Sequence, residues 1–249
     1  MRFSMAYRKF QFAGVSIGLP ATHDLSGGCG TVRMDFSVLV SEMIGDDTTG
    51  SPFSVGTISV CRINFGVLDL SRSSFLDAID ETAGTYEWAS LTTDEYSEAW
   101  GNAFGDKYAL DGISDFLGIE SAYIDAQFRS KRLIGFALRD IAAITGFGPH
   151  SAMMLLAQPW SHLSMSADLD DPRYLGDLES LTESYERVGF KRLCASGVSN
   201  AMALSGDYKN KAWEKLWRVH PKTFRLKKFD PAGLILSLKE SQERNRPGS

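Results

Sequence analysis

A run of alternating strands and helices between residues 119 and 195 constrains the fold of this chain most. Ile119–Phe128 is predicted to be a strand, and Leu133–Ile144 follows it as a helix whose apolar residues share one face. Ser151–Gln158 is a short apolar segment, which predicts the next strand. Strands that alternate with helices in this way favour an α/β or α+β fold.

Single residues indicate where these helices begin and end. Gly146 stands where a helix C-terminus accepts a left-handed residue. Asp171-Pro172 predicts the start of a second helix, with Asp as N-cap and Pro in the first helical position. Gly189 ends that helix, and Phe190–Ala195 is predicted to be a strand. Apolar residues recur along the helix at spacings of three and four: Leu175, Leu178, Leu181, Tyr185 and Val188.

The N-terminal part is richer in strand signals. Arg33–Ile44 and Val55–Leu68 are rich in Val, Ile and Phe, and the turn formers of 45–52 lie between them. This pattern predicts a β-hairpin with a long loop. Tyr7–Leu19 adds a possible further strand.

Shorter patterns predict the remaining elements. Capping residues and the spacing of apolar residues predict three helices: Ser73–Ala83, Thr92–Phe104 and Leu110–Leu117. Trp213–Arg218 is predicted to be a helix, and Leu234–Leu238 a final strand. Arg244–Ser249 has the composition of a disordered tail.

Composition bounds the class of protein. Hydrophobic residues make up 43% and charged residues 23% of the 249-residue chain, which is ordinary for a globular protein. No apolar stretch is long enough to span a bilayer, and the first nine residues lack the apolar region of a signal peptide. The cysteines Cys29, Cys61 and Cys194 are widely spaced, which favours reduced thiols in a cytoplasmic protein. The four histidines form no ligand spacing, so no metal and no membrane association are predicted: His23, His150, His162 and His220.

Charge is distributed unevenly along the chain. Thirteen acidic residues lie between Asp69 and Asp125 against Arg72 and Lys107. From Lys209 to the end, eleven Lys and Arg residues face four acidic ones. These biases indicate either two solvated surfaces, or an acidic region near a cationic substrate and a basic region near an anion.

Arg132-Leu-Ile-Gly-Phe-Ala137 opens the helix that follows the first of the alternating strands. A helix N-terminus offers unpaired N–H groups and a partial positive charge, so it binds pyrophosphate readily. Gly135 lacks the Cβ that would hold phosphates away, and the small Ala137 lets the turn pack close to the sheet. From this string alone, an ordinary amphipathic helix start is the alternative.

Tyr185-Glu-Arg-Val-Gly-Phe190 follows about fifty residues later, after a further strand and helix. Arg-x-x-Gly-x-Ala and Tyr-x-x-x-Gly-Phe, in this order, resemble the acetyl-CoA site of the GNAT superfamily of N-acetyltransferases. The resemblance covers roughly Ile119–Cys194. It implies a mixed, largely antiparallel sheet flanked by helices, with two central strands that splay apart to admit the coenzyme.

The resemblance also implies roles for named residues. Tyr185 would protonate the thiolate that leaves coenzyme A, since a phenol is neutral at pH 7 and holds a donor. A backbone amide near Ala126–Gln127, beside Phe128, would polarise the thioester carbonyl. The pyrophosphate would be held by Arg132, Leu133, Ile134, Gly135, Phe136 and Ala137.

The general base is left open between Glu120 and Asp125, which lie on the matching strand. They are five residues apart, so strand alternation predicts that they lie on opposite faces and that only one faces the cleft. His162, after the next strand, is a third possibility.

The resemblance thus predicts an acetyltransferase that acts on a primary amine, with acetyl-CoA as co-substrate. The acidic bias of 69–125 suggests a cationic amine. One integrated domain is expected over 1–243, in which 1–118 form the acceptor side and 119–243 the coenzyme-binding core. A non-catalytic GNAT-like binding or inhibitory module is the first alternative. A nucleic-acid-associated protein that uses the Trp213–Lys228 region is the second, although the net charge of -5 disfavours it.

Overall fold

A computed structural model describes the chain over residues 7–18, 31–44, 48–64, 94–105, 113–129, 131–159, 171–193, 200–207, 210–221 and 223–244. Its strands are β1 (Arg8–Ile17), β2 (Thr31–Ile44), β3 (Thr48–Thr49), β4 (Phe53–Asn64), β5 (Asp115–Ile124), β6 (Ser151–Leu156), β7 (Lys191–Arg192), β8 (Ala201–Ser205) and β9 (Phe224–Leu226). Its helices are α1 (Asp94–Phe104), α2 (Leu133–Thr145), α3 (Pro172–Glu186), α4 (Lys211–Arg218) and α5 (Pro231–Arg244).

The strands form one sheet in the order β7-β8-β6-β5-β4-β2-β1-β9, and β3 pairs with β2. Among these described strands β5 and β6 pair in parallel, and every other pair is antiparallel. The predicted mixed, largely antiparallel sheet with flanking helices is therefore confirmed at this level. The helix α2 connects the parallel pair, because parallel neighbours need a crossover rather than a tight turn.

Helices cover both faces of the sheet. Phe136 of α2 packs on Phe12 of β1, with ring centroids 5.7 Å apart. On the opposite face, Thr57 Oγ1 of β4 lies 3.4 Å from Ser241 Oγ of α5. These two surfaces are named the α2 face and the α5 face. The α2 face of the central strands carries fully buried apolar side chains: Phe36, Val38, Ile58 and Val60.

Most predicted elements are confirmed, and so are their local end signals. Gly146 ends α2 with a left-handed φ of 71°. The Asp171 carboxylate caps α3 by accepting a hydrogen bond from Arg173 N at 2.8 Å. Gly189, which follows α3, has a φ of 122° that side-chain-bearing residues rarely adopt.

Two predicted elements are wrong. Asp115, Phe116 and Leu117 were expected in a helix but begin β5, where Leu117 is fully buried in the centre of the sheet. Leu234–Leu238 was expected as a strand but lies inside α5. A short apolar run fits either structure, and tertiary packing decides between them.

The missed signal for α5 lies just before it. Asp230 accepts hydrogen bonds from Ala232 N and Gly233 N, both at 3.1 Å, and Pro231 takes the first helical position. This is the same Asp-Pro signature that predicted α3 correctly.

Other predictions differ in extent. The strand predicted to reach Phe128 ends at Ile124, and Ala126–Phe128 form a 3₁₀ turn. The strand expected over Phe190–Ala195 is described as Lys191–Arg192. The strands β8 and β9 were not predicted. The helix predicted over 73–83 and the tail residues 245–249 lie outside the described residues.

Candidate functional site

A cavity opens where β5 and β6 part. The two strands pair from Asp115↔Ser151 to Ile119↔Leu155, and β5 then continues to Ile124 paired with β4 but not with β6. A cavity of about 1360 Å³ occupies this end of the sheet. Its walls are β5 from Ile119 to Ile124, the end of β6, the start of α2, the second half of α3 and one side of α4.

A bulge in β5 lies at the mouth of this cavity. Ser59 of β4 pairs with Ser121 and Val60 pairs with Ile119, so Glu120 is an extra residue in β5. A bulge leaves one residue outside the ladder and redirects its side chain. The alternation of faces along β5 is therefore interrupted at Glu120.

The position of Arg33 shows which face Glu120 occupies. Arg33 pairs with Cys61, which is four residues from Thr57 on the same strand, so Arg33 lies on the α5 face. Arg33 Nε is 2.8 Å from Glu120 Oε2, and both side chains are mostly buried. Glu120 thus lies on the α5 face and lines the cavity there.

Asp125 lies on the same α5 face. Its Oδ2 accepts a hydrogen bond of 2.5 Å from Ser237 Oγ of α5, and its Oδ1 accepts one of 2.9 Å from Gln127 N. The prediction that Glu120 and Asp125 occupy opposite faces is wrong, because the bulge adds one residue between them. Asp125 is buried and caps the 3₁₀ turn, whereas Glu120 is the one of the two that borders the cavity.

The residues after Asp125 serve local structure. Gln127 N is engaged by Asp125, and the Gln127 side chain exchanges two hydrogen bonds with the backbone of Asp230. Ala126 and Gln127 do not border the cavity, but the buried Phe128 does. These contacts join the end of β5 to the start of α5.

Backbone groups of β5 face the cavity instead. The carbonyl of Tyr123 is directed at Gly56 of β4, so the N–H of the same peptide unit, that of Ile124, points away from β4. Asp125 N donates to Val55 O on β4, which agrees with this alternation. The Ala122 N–H has the same direction by the two-residue period. Sequence reasoning missed these amides, because only the strand pairing shows which peptide units are left without a neighbour.

The start of α2 forms the opposite wall. Arg132 precedes the helix with a left-handed φ of 59°, and the first N–H groups of α2 have no acceptor one turn earlier. Arg132, Leu133, Ile134, Gly135 and Phe136 border the cavity, whereas Ala137 is fully buried behind them.

Cations surround this wall. Among the described residues that border the cavity on this side, the acidic one is Asp177, and the basic ones are Arg129, Lys131, Arg132, Arg187 and Lys215. Arg187 also forms an exposed ion pair with Glu183 at 2.7 Å. The helix N-terminus and these cations together make the α2 side of the cavity attractive to an anion.

Gly135 has a packing role that the sequence did not indicate. A Cβ at this position would lie 3.2 Å from Val188 Cγ2 and 3.6 Å from Leu216 Cδ1. The space beside Gly135 is therefore filled by the residues after α3 and by α4. Its small size lets α2 pack closely against α4 and the segment after α3.

Tyr185 lies at the end of α3, where it is buried and borders the cavity. Its ring meets Phe190 edge-on, with centroids 5.6 Å apart. Burial raises the pKa of the Tyr185 phenol to about 12, because the charged phenolate is poorly solvated there. The hydroxyl therefore stays protonated at neutral pH.

Other chemistries find less support in the described residues. No group of three or more His, Cys, Asp or Glu residues is arranged there to hold a metal ion, and no helix there is long and apolar enough to cross a membrane. Cys61 is buried beneath Arg33 and Glu120, and burial raises the pKa of its thiol to about 12. A thiol with so high a pKa is a poor nucleophile at neutral pH.

No protein-family model matches the chain, and no curated protein or solved structure shows significant similarity to it.

Proposed function

We propose that the protein is an N-acetyltransferase of the GNAT type, which transfers an acetyl group from acetyl-CoA to a primary amine. The observation that carries this proposal is the cavity between the parallel strands β5 and β6. It combines a cationic helix N-terminus, a strand edge with N–H groups directed into it and a protonated tyrosine.

The proposed coenzyme path follows these features. The pyrophosphate is bound by the first N–H groups of α2 and the surrounding cations. The pantetheine arm, an extended chain with two amides, lies along the part of β5 that β6 leaves unpaired. There it pairs like an added strand with the N–H groups of Ala122 and Ile124. One of these N–H groups can instead polarise the thioester carbonyl.

The proposed chemistry is direct transfer. The neutral amine attacks the thioester carbon, a C–N bond forms, and the C–S bond breaks with its electron pair on sulfur. Tyr185 Oη donates its proton to that sulfur.

Glu120 is the proposed acceptor of the proton that the amine loses, either directly or through water. It borders the cavity, while Asp125 is buried against Ser237 and Gln127. Arg33 Nε lies 2.8 Å from the Glu120 carboxylate.

Calorimetric titration with acetyl-CoA tests the binding part. We expect micromolar affinity for the wild type, and at least about tenfold weaker binding for Lys131→Glu combined with Lys215→Glu, because two attractions become repulsions. Lys227→Glu combined with Lys228→Glu is the matched control, since these exposed lysines lie outside the cavity wall. Equal loss in both double variants would show that general charge, rather than this cavity, binds the coenzyme.

Release of free coenzyme A with a panel of amines tests the catalytic part. Acetyl-CoA binding without release for any amine would favour a non-catalytic binding or inhibitory module. One observation supports that alternative: Arg33 already engages the proposed base, Glu120, at 2.8 Å.

A nucleic-acid-associated function rests on α4. Trp217 is 47% exposed on this helix, between exposed Lys215 and Arg218. Aromatic and basic side chains side by side suit single-stranded nucleic acids. Salt-sensitive RNA binding that acetyl-CoA does not displace would favour this reading over the transferase.

A further inference from the structure

The cavity has charged groups of a different kind on the α5 face. The α2 side carries several exposed cations, whereas among the described residues the α5 side carries the ion pair of Arg33 and Glu120. Their side chains are 24% and 18% exposed, so they are partly shielded and yet reach the cavity. In an acyl transfer, the acceptor and the coenzyme approach one carbonyl from different directions. Because the coenzyme is assigned to the α2 side, the acceptor would approach from the α5 side.

A simple cationic amine is a poor match for this pair. Glu120 attracts its ammonium group, but the Arg33 guanidinium beside it repels the same charge at nearly the same distance. A simple anion meets the reverse problem. A ligand that carries both charges close together satisfies both groups, because its carboxylate faces Arg33 and its ammonium faces Glu120.

We propose that the acetyl acceptor is an amino acid or a similar zwitterion, bound by the Arg33–Glu120 pair at the α5 side of the cavity. The role of this ligand as acetyl acceptor rests on the proposed transferase activity, whereas its binding at this site does not. Arg33 Nε approaches Glu120 Oε2 to 2.8 Å, and both side chains border the cavity. A planar guanidinium is suited to bidentate pairing with a carboxylate.

Binding of such a ligand would also prepare the base. The ligand carboxylate pairs with Arg33, and the ammonium group lies beside the Glu120 carboxylate. One proton then passes from the ammonium nitrogen to Glu120, and the neutral amine attacks the thioester. The second proton leaves the nitrogen as the amide forms and restores the Tyr185 phenol, which has given its own proton to the sulfur.

The bulge fixes this arrangement. Without the extra residue, strand alternation would direct the side chain of residue 120 to the α2 face, because Ile119 and Ser121 would then both lie on the α5 face. The bulge places Glu120 on the α5 face beside Arg33, which reaches it across the intervening strand β4.

Matched pairs of ligands test the proposal. Leucine is compared with isoamylamine and phenylalanine with 2-phenylethylamine, since each amine is the amino acid without its carboxylate. Binding to the wild-type protein saturated with coenzyme A is followed by calorimetry and NMR. We expect at least one amino acid of such a panel to bind at least about tenfold more tightly than its amine.

Two variants test whether Arg33 causes the preference for amino acids over amines. Arg33→Met should reduce it to within about twofold, while Arg8→Met should leave it intact. Arg8 is a matched control, because it also forms an ion pair between neighbouring strands, with Glu42, but does not border the cavity. If Arg33→Met fails to fold, Arg33→Met combined with Glu120→Gln removes both charges together and should show the same loss of preference.

The outcomes separate the two proposals. Amines that bind as tightly as their amino acids, or a preference that survives in Arg33→Met, would overturn the zwitterion site and leave the ion pair with a structural role. A preference for amino acids without coenzyme release would retain this site and reject the transferase. Coenzyme release with amines and no preference for amino acids would retain the transferase and reject the zwitterion site.

Discussion

The two sides of the cavity are built on different principles. The α2 side presents many groups: backbone N–H donors at a helix start and several exposed cations. The α5 side presents one partly buried ion pair, Arg33 with Glu120. Redundant, solvent-screened contacts suit a large polyanion whose position need not depend on any one of them. A shielded ion pair suits a small ligand that must be distinguished from close analogues, because an analogue that lacks one of the two contacts loses much of its affinity.

Tyr185 is buried in α3 and borders the cavity, so its substitution should affect catalysis and leave both binding sites intact. Tyr185→Phe keeps the buried ring and removes only the hydroxyl. We expect kcat to fall by about 10²–10⁴-fold, the usual contribution of a general acid, while the KM values stay within about twofold. Tyr174→Phe, on the same helix and away from the cavity wall, is the control that should keep full activity. Unchanged turnover in Tyr185→Phe would leave Tyr185 as a core residue.

Alkaline titration measures how well the cavity shields Tyr185. Its pKa is raised from 10.0 to about 12 in the folded protein. Between these values the unfolded chain loses the phenol proton and the folded protein keeps it, so the free energy of unfolding falls as pH rises from about 10 to 12. The full shift corresponds to about 2.7 kcal/mol.

Urea unfolding over this pH range checks the prediction. Cys61, whose pKa is also raised, contributes a parallel loss in every variant that retains it. The expected result is therefore a shallower decline for Tyr185→Phe than for the wild type. Equal declines would show that water reaches the hydroxyl.

Packing on the α2 side can be tested with two glycines. Gly135→Leu forces a side chain toward Val188 and Leu216, and overpacking of this kind costs about 1–3 kcal/mol. Gly176→Leu in α3 meets no atom within 4 Å of its Cβ and should be neutral or stabilise the helix by about 0.5 kcal/mol. Thermal unfolding of both variants gives the comparison. Val188→Ala in the Gly135→Leu background should recover part of the loss, and no recovery would show that the strain lies elsewhere.

Single cations on the α2 side should have the smallest effects. Arg132→Asn removes a charge and keeps a residue that tolerates the left-handed backbone, and Lys215→Gln removes one from α4. Each should raise the KM for acetyl-CoA by roughly two- to fivefold, and less at high salt. The KM for the acceptor should not change. A single variant that abolishes coenzyme binding would contradict the redundancy of this side.

Several elements and part of the site were predictable from local sequence. Asp171-Pro172, Gly146 and Gly189 act through the backbone geometry of their own segments, so their meaning does not depend on the rest of the chain. The same holds for the order of strand and helix that brings Tyr185 and the 132–136 turn to one cavity.

The tertiary structure alone decided the features that depend on strand pairing. The bulge at Glu120 exists only against the register of β4, and it moves Glu120 to the face of Asp125, which the two-residue period had excluded. The same pairing shows that the amides of Ala122 and Ile124, rather than that of Gln127, face the cavity. Arg33 joins Glu120 from a strand more than eighty residues away in the sequence. Hydrogen bonds between distant segments determine these positions, and a sequence read residue by residue does not contain their register.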